Sequence, residues 1–124
     1  MTTSVEAVHF GRVVPTVPVT DIPTALSFYT ETLGFKKVFE NGDPVGFVIL
    51  KKDAAEIHLT LTPNHKASDR NVLHLMVSDA QTLYDLLAKA NVRIVKGIRD
   101  AEYGLRDFVI ADPDGNRIDI GQKI

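Results

Sequence analysis

The chain has no cysteine and no tryptophan among its 124 residues. Without cysteine there are no disulfides, no thiolate zinc site and no cysteine nucleophile, which suits a reducing compartment and gives the expectation of a cytoplasmic protein. A basic field is also missing. The 14 Lys and Arg stand against 16 Asp and Glu, a formal net charge of −2, so nothing draws the polyanionic backbone of a nucleic acid. No apolar run approaches the roughly 20 residues that cross a bilayer, so no membrane span is expected. The opening MTTSVEAVHF has neither the basic start nor the apolar stretch of a secretory signal. There is no glycine-rich phosphate loop, nucleophile elbow or zinc-type histidine spacing. What remains is one domain of ordinary size, whose 44% hydrophobic content is enough for a single core.

What is present is a repeat. VVPTVPVTD reads as a strand running into a helix capped by Asp21, whose carboxylate can accept first-turn amides. Pro23 is tolerated just inside the helix, where amides have no intrahelical partner. Ile22, Ala25, Leu26, Phe28, Tyr29 and Leu33 then fall on one helical face, and Gly34 supplies the stop. The same order returns downstream. NVLHLMVSD is a strand ending in the cap Asp79, followed by a face of Ala80, Leu83, Leu86, Leu87 and Ala90 and a stop at Asn91. Asp79 stands 58 positions after Asp21, and the same offset aligns Ala25 with Leu83, Phe28 with Leu86 and Tyr29 with Leu87. A shared cap and shared core positions at one spacing predict two copies of a module, 12–62 and 71–121, joined by a polar linker, 63–70, whose His65 is expected in solvent.

Strand pairs complete each copy. In the first, VGFVIL (45–50) and EIHLTL (56–61) flank a charged turn; in the second, LRDFVIA (105–111) and NRIDIG (116–121) flank DPDG (112–115). Pro113 and Gly115 specify that last turn strongly. Alternation puts Ile57, Leu59 and Leu61 on one strand face and His58 and Thr60 on the other, and sets Asp119 opposite Ile118 and Ile120. The apolar faces await the helices. The polar faces either meet solvent or line a pocket.

Two βαβββ modules in this length, with VPVTDIPTALSFYTETLGF (17–35) and YGLRDFVIADPDGNRIDIGQ (103–122), resemble the vicinal oxygen chelate superfamily of glyoxalases, bleomycin-resistance proteins and dioxygenases, its bleomycin-resistance branch above all. The resemblance implies an α+β fold in which curved half-sheets form a ligand cup, in many relatives from halves of two subunits, and hence a homodimer with two equivalent crevices. Family enzymes hold one divalent metal through His, Glu or Gln on four strands. Carried over, those positions fall on Val14, His58, Val72 and Asp119, and valine cannot ligate a metal. The resulting expectation is a protein without metal or other cofactor that sequesters a small molecule, an antibiotic or a metabolite. The alternative is a metal-dependent glyoxalase- or dioxygenase-like lyase or isomerase, its one divalent ion held by His58, His74 and Asp119. Outside that role, His74 is expected to be packed in the core, in a strand apolar on both faces. Phe47, Ile49, His58, Thr60, Tyr103, Arg106, Phe108 and Asp119 are the candidate ligand-binding residues. Tyr103 would stack on a flat group and Asp119 pair with a cation. A bulky cationic glycopeptide such as bleomycin is expected to meet a more acidic and aromatic groove than three Tyr and six Phe supply.

Overall fold

The computed structural model describes residues 4–124. A short 3-10 turn (Val5–Ala7) precedes β1 (Thr16–Val19), from which the chain enters helix α1, α-helical over Ile22–Leu26 and π-helical over Ser27–Thr32. Then come β2 (Lys36–Asn41), β3 (Phe47–Lys52) and β4 (Ala55–Leu61). The second half repeats this order with β5 (Asn71–Met76), α2 (Ala80–Lys89), β6 (Arg93–Asp100), β7 (Leu105–Ala111) and β8 (Arg117–Lys123). The pairs β2–β3 and β6–β7 complete the βαβββ pattern with two strands, β2 and β6, that sequence alternation leaves unmarked: β2 is exposed throughout, and β6 shows no two-residue period.

The two caps work alike. Asp21 accepts the Thr24 amide at 3.0 Å and its hydroxyl at 2.6 Å; Asp79 accepts the Thr82 amide at 3.0 Å and its hydroxyl at 2.7 Å. These bonds, led by the Thr24 hydroxyl in one case and the Thr82 amide in the other, hold both carboxyls below the usual range. The stops are left-handed as expected, Gly34 at φ 82° and Asn91 at φ 60°. Asp21→Ala and Asp79→Ala should each lower the thermal midpoint by a few degrees, and the double variant by close to the sum, because the caps serve separate helices. A circular dichroism melt of the three variants checks this; an unchanged midpoint in either single variant would show that its cap adds nothing.

Each half makes one four-stranded mixed sheet, ordered β1-β4-β3-β2 and β5-β8-β7-β6, with β1–β4 and β5–β8 parallel and the other pairs antiparallel. One apolar cluster runs through both halves, from Val17, Tyr29 and Leu59 to Leu87, Phe108 and Ile120. Two residues read as helix core lie outside it: Leu86 is 59% exposed, and Ala90 is exposed beside it. The apolar stripe of α2 is wider than the strip of sheet it covers.

The DPDG turn ties the halves together. Asp112, buried, accepts the Tyr29 hydroxyl at 2.8 Å, the Asp114 and Asn116 amides at 2.9 Å each and the Asn116 side-chain amide at 3.0 Å. Asp114 accepts the Thr20 amide at 3.1 Å, and Asn116 donates to the Pro18 carbonyl at 2.9 Å. His65, expected in solvent, is instead half-buried, its Nε2 lying 2.8 Å from Asn116 Oδ1. The linker between the modules is thus tied to the turn of the second.

Candidate functional site

Strand register decides which side chains share a surface. On the first sheet, Phe47 pairs with Thr60, Ile49 with His58, and Phe39 with Ile49, so these side chains occupy the face turned away from the core. Phe47 lies edge-on to both His58 and Phe39, with ring centroids 5.2 and 6.4 Å away. The structure brings the predicted residues Phe47, Ile49, His58 and Thr60 together on one surface. It also adds Glu56, which the sequence reading passed over although it lies two residues before His58 and therefore in the same phase. Glu56 Oε2 is 2.7 Å from His58 Nε2, and its other oxygen takes Arg12 and Lys51. The His58 hydrogen bond leads in holding the Glu56 carboxyl below its ordinary range, with the Arg12 and Lys51 charges assisting.

On the second sheet the register corrects part of the prediction. Phe108 pairs with Ile120 and Arg106 with Gln122, which places both on the helix side. Phe108 is 1% exposed and meets Tyr84 of α2 edge-on at 5.1 Å, while Arg106 grips Asp100 at 2.7 Å. Neither reaches the face that carries Asp119. That face holds Asp107, Val109 and Asp119, with His74 beside Asp119 and Tyr103 donating its hydroxyl to Asp107. His74 is a second correction. It is not packed in the core: its side chain is 65% exposed, and its Nδ1 is 3.1 Å from Asp119 Oδ2. The face of β5 that carries Leu73 and Leu75 turns inward, while Val72, His74 and Met76 on the other are exposed.

Asp119 is 6% exposed, and its second oxygen, Oδ1, is buried without a hydrogen-bond partner. Burial pushes its carboxyl above the usual aspartate range; the His74 charge pulls it down, and the neighbouring Asp107 carboxylate pushes it up again. Asp107, equally buried, is the functional candidate that sequence reasoning missed.

Among the described residues no three His, Asp or Glu side chains converge to hold an ion. His58 is engaged with Glu56 on the first sheet and His74 with Asp119 on the second, so the alternative set of His58, His74 and Asp119 is not assembled within the chain. A groove of about 470 Å³ does run between the halves, lined by Leu33, Phe35, Ala55, Leu75, Leu83 and Leu86 among others, but it contains none of the predicted binding residues.

The fold agrees with that of known proteins. The family model of the Glyoxalase/Bleomycin resistance protein/Dioxygenase superfamily matches residues 8–120. The bleomycin resistance protein of Geobacillus stearothermophilus is 28% identical over 131 residues, covering 90% of this chain and 96% of that protein. A superfamily member from Sphaerobacter thermophilus superposes with a TM-score of 0.80 at 28% identity, covering 92% and 98% of the two chains. The bleomycin-binding protein of Streptomyces verticillus, solved with copper(II)-bleomycin, shares the fold at a TM-score of 0.71 and 24% identity, covering 91% of this chain and 96% of that one. No helix among the described residues is long and apolar enough to cross a membrane. With the model match spanning nearly the whole chain and both modules in place, the protein belongs to the Glyoxalase/Bleomycin resistance protein/Dioxygenase superfamily.

Proposed function

We propose that this protein captures a small molecule in the manner of the bleomycin-resistance proteins, without metal and without turnover, as a homodimer with two equivalent crevices. The observation that supports this most is how the metal-capable side chains are spent: His58 and His74 each pair with a carboxylate of their own sheet, and among the described residues no three donors converge. What those faces offer is an aromatic and aliphatic floor of Phe39, Phe47 and Ile49 on one and the exposed Tyr103 ring on the other, with a few fixed polar groups. That is the composition of a binding surface for an organic ligand. In a single chain Phe39, His74 and Tyr103 stand exposed on these faces, so a second copy supplies the opposite wall.

Titration of purified protein with bleomycin, followed by calorimetry, tests this. One saturable site per chain is expected, and at roughly 100 times the dissociation constant the ligand should add about 2.7 kcal/mol to apparent stability. Light scattering should give about twice 13.7 kDa. Metal content after dialysis should be far below one ion per chain. A stoichiometric, chelator-removable metal would move the reading to the metal-dependent enzymes, and a clean monomer would remove the shared crevice.

A further inference from the structure

We propose that Asp107 and Asp119 act as one receptor for a cation that carries N–H donors, a primary ammonium or guanidinium group of the captured molecule. This rests on the capture reading above and specifies the ligand chemistry at that site. The two carboxylates share the open face of neighbouring strands: Asp107 stands opposite Gly121, which adds no side chain, and Asp119 opposite Val109, making them diagonal neighbours. Both are more than nine-tenths buried, at 5% and 6% exposure, and the Asp107 charge acts directly on Asp119.

The bonding of the four oxygens is uneven. Asp107 Oδ2 receives the Tyr103 hydroxyl, and its Oδ1 lies 3.9 Å from Arg99. Asp119 Oδ2 faces His74 at 3.1 Å, while Asp119 Oδ1 has nothing. A buried acceptor without a donor is a standing cost, so this oxygen defines what the site lacks: an N–H or O–H from outside the chain. The charged and titratable groups around it are His74 from β5, Lys96 and Arg99 from β6 and the neutral Tyr103 hydroxyl from the turn before β7. The His74 and Arg99 side chains are 65% and 64% exposed, and such solvated partners bind weakly enough to give way. A quaternary ammonium has charge but no donor for Oδ1. A divalent ion would need a third ligand that does not converge here.

The test is a titration of the isotope-labelled protein with three probes of one size, followed by amide resonances in β7 and β8. Butylguanidinium carries charge and N–H donors, butyltrimethylammonium charge alone, and butylurea N–H donors alone. Only butylguanidinium should give saturable shifts, and Asp107→Asn and Asp119→Asn should each weaken it at least tenfold, while Asp85→Asn on the far helix leaves it unchanged. Equal binding of butyltrimethylammonium, or no loss on Asp107→Asn, overturns the paired receptor, as does the absence of any saturable shift. Should Asp107→Asn fail to fold, the three-probe comparison on the unaltered chain still decides. Bleomycin titrated in parallel separates this proposal from the broader one. Bleomycin binding that Asp107→Asn leaves intact sinks the receptor but not capture, whereas butylguanidinium binding without bleomycin binding supports the receptor and counts against the bleomycin type.

Discussion

Replacing Asp112 with Ala should destabilise the protein by about 3–5 kcal/mol, the largest stability effect expected of any single polar substitution here. The carboxylate is buried and accepts four hydrogen bonds, three from its own turn and one from Tyr29 in the other half. Removing it orphans the Tyr29 hydroxyl, itself fully buried, together with two backbone amides and one of the bonds of the Asn116 side chain. Tyr29→Phe removes one of these bonds and leaves the rest, so its cost should be nearer 1.5–3 kcal/mol, the usual range for a hydrogen bond to a charged group. With no tryptophan to report unfolding, urea titration followed by circular dichroism is the measurement. A loss below about 1 kcal/mol for Asp112→Ala would mean that the turn is decoration and that the apolar cluster alone joins the halves.

Asp119→Asn should behave in the opposite way, leaving stability intact while affinity for an N–H cation falls about 10- to 100-fold, as when a charge-assisted hydrogen bond is lost. Burial raises the Asp119 carboxyl above its unfolded value, near 3.9 for an ordinary aspartate. Below that value the group is protonated in both states and costs nothing. As pH rises, the unfolded chain ionises first, so this residue's contribution to stability is lost until the folded carboxyl ionises too. Asparagine removes that loss and offers an N–H toward Asp107. The variant should therefore match the parent in acid and be at least as stable at neutral pH. Urea unfolding of the two proteins across that range checks the sign; a variant clearly weaker at neutral pH would make Asp119 a structural anchor instead of a ligand contact.

The α+β fold was legible because its signals are local. Asp21 and Asp79, the stops at Gly34 and Asn91 and the DPDG turn each carry their own backbone chemistry. The second-sheet face was misread at Phe108 and Arg106, although the information was present. A turn of known length fixes register, and counting outward from the Ala111–Arg117 pair puts Val109, not Phe108, opposite Asp119. What obscured it was β7 itself, whose residues from Asp107 to Ala111 are all buried, so that alternation disappears. His74 was misread for a different reason. A strand apolar on both sides suggests two covered faces, but among the described residues Val72, His74 and Met76 stand exposed. The Asp107–Asp119 pair was out of reach of pattern alone, since the two residues stand on different strands and meet only through the pairing of those strands.

The bonds that join the halves have a consequence for synthesis. Tyr29 finds Asp112, Thr20 finds Asp114 and the Pro18 carbonyl finds Asn116 across separations of 83, 94 and 98 residues. The ribosome completes the first sheet long before these partners exist. Throughout translation of the second module, the nascent first module carries a tyrosine hydroxyl and a strand-end carbonyl with no protein partner, and the seam that hides them is among the last contacts to form.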